Sequence, residues 1–171
     1  MNQTLVHRYF LPLVLMTALV ACGKTAAPVA PQEITAGTSC SLDGMTLADF
    51  PGPKAQIHYA MGEPDYFCDT VEMFSIYLKP EQKKRITGIF TQDMGKSDWE
   101  SPKGNWVDAK QAFYVLGSKK MGSMGPTLAA FSIEQDASKF AEEFGGKVLG
   151  FDQVTLDMVD LSGGAAHDQH M

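Results

Sequence analysis

The sequence predicts an α+β domain made of two ββαβ units in tandem. Three observations point there: short β-prone runs come in pairs, each pair is followed by a segment of helical periodicity, and each such segment is followed by one more β-prone run. In the first unit the paired runs are residues 55–61 and 65–68, joined by a turn at Gly62-Glu63-Pro64. Asp69, with Glu72 three residues on, has the spacing of a helix N-cap pair. Val71, Phe74, Tyr77 and Leu78 then share one helical face until Pro80 ends the helix, and residues 86–91 form the closing strand. In the second unit, residues 113–116 and 127–131 are the paired runs, separated by the glycine- and methionine-containing loop 117–126. Ala137, Phe140, Ala141 and Phe144 recur at helical spacing behind a cap at Asp136, Gly145-Gly146 terminates the helix, and residues 147–151 are the last strand. The units span 40–95 and 96–161, with a polar link over 93–105, and the repeat is one of pattern rather than of sequence.

The ends of the chain read differently. An apolar run follows His7 and Arg8 and closes on Leu19-Val20-Ala21-Cys22, a lipobox, so residues 1–21 are expected to be a lipoprotein signal peptide and Cys22 the lipidated residue. The run is shorter than the roughly 20 residues needed to span a bilayer. Residues 22–39 are rich in Ala, Pro and Thr and read as a semi-extended spacer; 162–171 read as a polar tail ending His167-Asp168-Gln169-His170-Met171. Cleavage removes one of the 14 Lys+Arg and none of the 20 Asp+Glu, leaving a formal charge of −7. That balance argues against nucleic-acid binding and against electrostatic adhesion to anionic lipid, so attachment is expected to come from acyl chains. The expected location is periplasmic, anchored by lipid, at the outer membrane in preference to the inner.

With Cys22 modified, Cys40 and Cys68 remain, and in an oxidising compartment the default for such a pair is a disulfide. Against it stands Cys40-Ser41-Leu42-Asp43-Gly44-Met45, which places a thiol, a carboxylate and a thioether within six residues. Soft sulfur donors favour Cu(I), while no Cys-x-x-Cys pair or spaced His pair supports a structural zinc. The other reading of this segment is an Asp-Gly turn with Met45 in the core. Met121 and Met124 lie three apart among glycines, outside any amphipathic stripe, and make a second donor candidate. His167, His170 and Met171 make an accessory one, whereas His58, in strand alternation, reads as a structural or surface residue and not as a ligand. No serine-nucleophile, phosphate-loop or dinucleotide motif is present.

From Cys40 to about Val154 the chain resembles the NosL-type copper lipoproteins that accompany nitrous oxide reductase. The matching elements are the opening at Cys40 to Met45, the block 52–57, the block 106–115, Met124-Gly125, Ala129-Ala130-Phe131, and Phe140-Ala141 followed by Gly145-Gly146. The resemblance implies a tandem ββαβ fold similar to that of organomercurial lyase. It also implies Cu(I) binding outside the cytoplasm and passage of copper to nitrous oxide reductase in association with a membrane ABC transporter complex. By position, Cys40, Met45 and Met124 match as metal ligands. Asp43 stands where many relatives carry a second cysteine, which implies mixed coordination by sulfur with Asp43 or another thioether. Cys68 lies outside the family pattern. Two alternatives to a copper chaperone follow from the residues: a scaffold lipoprotein stapled by Cys40–Cys68, and an organomercurial lyase-like enzyme using Cys40, Cys68 and Asp69.

Overall fold

The computed structural model describes residues 28–82, 84–159 and 161, so Cys22 and the His167, His170 and Met171 tail lie outside the described residues. The first sheet is built on β1 (Ala55–Tyr59), whose residues from Ala55 to His58 are all buried. β2 (Asp65–Phe67) pairs with one edge of β1; after the helix α1 (Thr70–Tyr77), the chain returns as β3 (Ile86–Gln92) on the other edge. β4 (Trp106–Asp108) extends this sheet beside β3, giving the order β2-β1-β3-β4 with every pairing antiparallel.

The second sheet repeats that plan. β5 (Phe113–Leu116) is its centre; the chain then forms a small hairpin, β6 (Met121–Gly122) and β7 (Gly125–Pro126), before β8 (Ala129–Phe131) pairs with β5. The helix α2 (Glu134–Phe144) follows, and β9 (Lys147–Gly150) pairs with the free edge of β5, so the order β8-β5-β9 mirrors β2-β1-β3. The pattern repeat in the sequence is therefore a repeat of topology.

Both units share one core. Phe74 of α1 lies edge-on to Tyr114 of β5 and tilted against Phe151, with ring centroids 5.0 Å apart in each case. The Tyr114 hydroxyl, buried with its ring, donates to the Ala109 carbonyl at 2.7 Å. Near the start of α1, Thr70 Oγ1 donates to the Leu128 carbonyl at 2.6 Å, which ties the first helix to the entrance of β8.

Four sequence expectations change. Trp106–Asp108 completes the first sheet although it lies within the span assigned to the second unit, because its backbone pairs with the exposed edge of β3. Asp136 sits in the first turn of α2 and is not its cap; Ile133 holds the cap position without a side-chain bond. Part of the expected spacer is packed on the body, since Gln32 exchanges two hydrogen bonds with the buried Gln56 side chain and accepts one from the Tyr66 hydroxyl. The loop 117–126 contains a ladder, β6–β7, too short for periodicity to reveal. Of the two readings of His58, structural or surface, the structure shows the first: it is buried, its Nε2 is 2.6 Å from Gln56 Oε1, and its ring meets Phe90 edge-on.

Because Phe74 is fully buried at the junction of both units, Phe74→Ala is expected to cost about 3–5 kcal/mol, the range for truncating a core aromatic. Urea denaturation followed by circular dichroism measures this; a cost below about 1 kcal/mol, the level of a tolerated core swap, would mean the two units do not share the core described.

Candidate metal centre

The Cys40–Met45 segment is a closed turn. Cys40 N–H donates to the Met45 carbonyl at 2.8 Å, Gly44 N–H donates to the Cys40 carbonyl at 2.9 Å, and Gly44 takes a φ of 80°, which only glycine adopts at little cost. Asp43 shapes the same turn, its Oδ1 accepting the Met45 N–H at 2.9 Å. The turn is pinned beside β2: Ser41 N–H donates to the Tyr66 carbonyl at 2.8 Å and Tyr66 N–H donates to Ser41 Oγ at 3.0 Å.

That pinning brings Cys40 to the place where β2 gives way to α1. Cys68 immediately follows β2, Asp69 caps the helix by accepting the Val71 N–H at 2.9 Å, and Glu72 follows within the first helical turn. Cys40, Cys68 and Glu72, all buried, offer donor atoms that lie within 4.8 Å of one another. Cys40 Sγ and Glu72 Oε2 share a hydrogen bond of 3.3 Å, and Cys68 Sγ lies 3.8 Å from the Met45 carbonyl oxygen. Glu72 Oε1 is buried without a hydrogen-bond partner among the described residues. Both thiols are free and not joined as the disulfide of the scaffold alternative.

The three groups tune one another. The hydrogen bond from Cys68, helped by backbone N–H groups and opposed by burial, brings the Cys40 thiol down to about 6. The same bond, together with burial and the surrounding negative charge, holds Cys68 well above the ordinary thiol range. Burial, followed by the charge of Cys40, pushes the Glu72 carboxyl up to about 8. At neutral pH the pocket therefore presents a Cys40 thiolate, a Cys68 thiol and a protonated Glu72. A buried cation backs it: Lys54 Nζ donates to the carbonyls of Pro51, Gly52 and Cys68 at 2.9–3.1 Å. Burial lowers that ammonium to about 8 against the pull of Asp69, Cys68 and Glu72.

Of the residues singled out in the sequence, Cys40 lies in this pocket, and Met45 packs at the Cys40–Leu47–Cys68 cluster that walls it. Asp43 is exposed and engaged in the turn. Met121 and Met124 are each 52% exposed on the β6–β7 hairpin and do not join that cluster. Asp69, the carboxylate of the enzyme alternative, is fully buried as the helix cap. Sequence reasoning missed Glu72 as a pocket residue because its spacing from Asp69 suggested a capping box. Its carboxylate instead turns to Cys40. The signal that finds it is a thiol at a strand end, Cys68, with a carboxylate four residues later, inside a helix that starts between them.

A model of the NosL family matches residues 31–159. The chain belongs to the NosL family. Among its NosL relatives, the copper-binding lipoprotein NosL of Stutzerimonas stutzeri is 35% identical over 161 residues, covering 92% of this chain and 84% of that protein. That of Achromobacter cycloclastes is 36% identical over 159 residues, covering 89% and 82%. The crystal structure of the copper chaperone NosL from Shewanella denitrificans aligns with a TM-score of 0.74 at 34% identity, over 77% of this chain and 99% of that one. These NosL proteins are named for binding or chaperoning copper, not for catalysis. Among the described residues no helix is long and apolar enough to cross a membrane.

The Cys40 state is directly measurable in the metal-free protein. Alkylation of Cys40 is expected to rise with a midpoint near pH 6, and Cys68→Ser is expected to move that midpoint, because it replaces the hydrogen bond that lowers it with a different donor. A wild-type midpoint near 9, the ordinary thiol value, would contradict the hydrogen-bonded pair.

Proposed function

We propose that this chain is a lipid-anchored Cu(I) carrier that works in the periplasm and delivers copper for assembly of nitrous oxide reductase alongside a membrane ABC transporter complex. The observation that carries the reading is the convergence of two thiols and a carboxylate within 4.8 Å. Its chemistry suits Cu(I): thiolates and thioethers favour soft ions, and a three-donor pocket leaves room for an exchanging ligand. Cys40 is the entry ligand, since it is already a thiolate at neutral pH. Cys68 becomes the second as its proton leaves on metal binding. Met45 at the wall and Met124 on the hairpin are the thioether candidates, and Glu72 contributes an oxygen and a hydrogen bond to sulfur.

A carrier must also release its cargo. Residues 41–44 are exposed while Cys40 is buried beneath them. Opening this turn breaks the Cys40–Met45 and Gly44–Cys40 backbone bonds and exposes the metal to an incoming thiol or thioether. The anchor at Cys22 fits the same role. Two or more acyl chains hold firmly, and tethering raises the local concentration of carrier near a membrane-embedded partner. The lipobox supports the anchor itself, and our reading takes the outer membrane in preference to the inner. The relatives' names, which speak of copper binding, lipoprotein and chaperone, support the family-level part of this proposal.

Competition with a Cu(I) chelator such as bicinchoninate tests the reading. The soluble domain from residue 28 onward is expected to retain one Cu(I), and Cys40→Ala to weaken retention beyond the roughly 100-fold reached by changes to residues that only support a ligand. Affinity in Cys40→Ala within twofold of the wild type would refute it.

A further inference from the structure

The β6–β7 hairpin presents Met121 and Met124 through only two pairs of residues, Met121 with Pro126 and Gly122 with Gly125. A ladder that short does not hold itself in place. What holds it is a grip on Gly122. A Cβ at position 122 would overlap Asp69 Oδ2 and lie 2.9 Å from Thr127 Cβ, and a Cβ on the opposing Gly52 would lie 3.1 Å from the Gly122 Cα. The neighbouring Met121 carbonyl accepts the Trp99 Nε1–H at 3.0 Å, and the Trp99 carbonyl accepts the Gly52 N–H at 2.8 Å. Gly122 does not need glycine for its backbone conformation, since it is not among the positive-φ residues. It needs glycine for the closeness of the contact.

The carboxylate on the other side of that contact cannot swing away. Asp69 is buried, and its Oδ1 accepts both the Val71 N–H at 2.9 Å and the Thr127 Oγ1–H at 2.6 Å. Its Oδ2 is turned onto Gly122, where the Ser123 N–H of the hairpin stabilises the carboxylate. Helix capping is already performed by Oδ1, so an orientation that aims Oδ2 at the hairpin backbone serves the hairpin. Asp69 also follows Cys68 directly and starts the helix that carries Glu72.

We propose that Asp69 is a positioning residue for the methionine hairpin: its carboxylate, seated against Gly122, docks the Met121 and Met124 thioethers onto the same helix start that presents Cys68 and Glu72. This inference rests on the copper reading above and deepens it. The thiol pair captures Cu(I), and the docked hairpin supplies the additional thioether sulfur that sets how tightly the ion is kept.

The test is Gly122→Ala in the lipid-free chain, read by Cu(I) competition with bicinchoninate. Displacing the hairpin is expected to weaken Cu(I) retention about 10–100-fold, the range for residues that orient a ligand. The pH midpoint of Cys40 alkylation should stay where it is in the wild type, a result that general unfolding of the pocket would not give. Met121→Leu with Met124→Leu removes the thioethers at nearly constant volume and should give a loss of the same size. Combining all three changes should weaken binding no further, because both routes remove one interaction. Asp69→Ser alone keeps an oxygen for the Val71 N–H but removes the seat against Gly122, and should weaken retention by a similar factor. Affinity in the folded Gly122→Ala variant within twofold of the wild type would overturn the proposal, as would fully additive losses. If Gly122→Ala does not fold, unchanged affinity in the double leucine variant overturns it instead. A wild-type chain that retains no Cu(I) would overturn the copper reading itself, and this inference with it.

Discussion

Where α1 begins decides where Cys68 and Glu72 point, and Asp69 fixes that beginning. Its Oδ1 accepts the Val71 N–H, which satisfies one of the helix's orphan donors. The same oxygen accepts the Thr127 hydroxyl, so the cap of the first unit is also a bond to the second. From that point the rest follows in order. Cys68 is held at the strand end by its carbonyl's bond to Lys54, Glu72 follows within the first turn, and the Cys40 turn is laid against β2 by the Ser41–Tyr66 pair. Moving the helix start by one residue would rotate Glu72 by about 100° and remove it from Cys40.

The electrostatic cost of the arrangement explains its composition. Burying a thiolate and two carboxylates near one another is unfavourable unless protons or a cation offset the charge. Glu72 answers by holding a proton to about pH 8, Cys68 by staying a thiol, and Lys54 by placing an ammonium among three carbonyls at the back of the pocket. In the proposed carrier role, a monovalent soft cation bound by two thiolates would take the place of the Cys68 proton and leave the charge of the pocket unchanged.

Much of the fold was legible because its signals are local. The helix over Thr70–Tyr77 announces itself by Asp69 and by the Val71–Phe74 face, and the α2 stripe of Ala137, Phe140, Ala141 and Phe144 by period alone. What was not legible is non-local. Trp106–Asp108 becomes a strand only because β3 offers it an edge, and the β6–β7 ladder is decided by packing onto Gly52, Asp69 and Trp99. The site divides in the same way. Cys40 could be found from its short motif, but Cys68 and Glu72 lie 28 and 32 residues from Cys40 along the chain and meet it only through the pinned turn. Asp43, which sequence spacing offers as a ligand, has Oδ1 engaged in shaping that turn.

X-ray absorption at the copper edge of the Cu(I)-loaded domain tests the central claim most directly, because it counts the atoms bound to the ion. The account predicts a shell dominated by sulfur that loses one sulfur neighbour in Cys68→Ser. A shell dominated by nitrogen and oxygen, or one identical in Cys68→Ser and the wild type, would contradict the Cys40–Cys68–Glu72 pocket as the copper site.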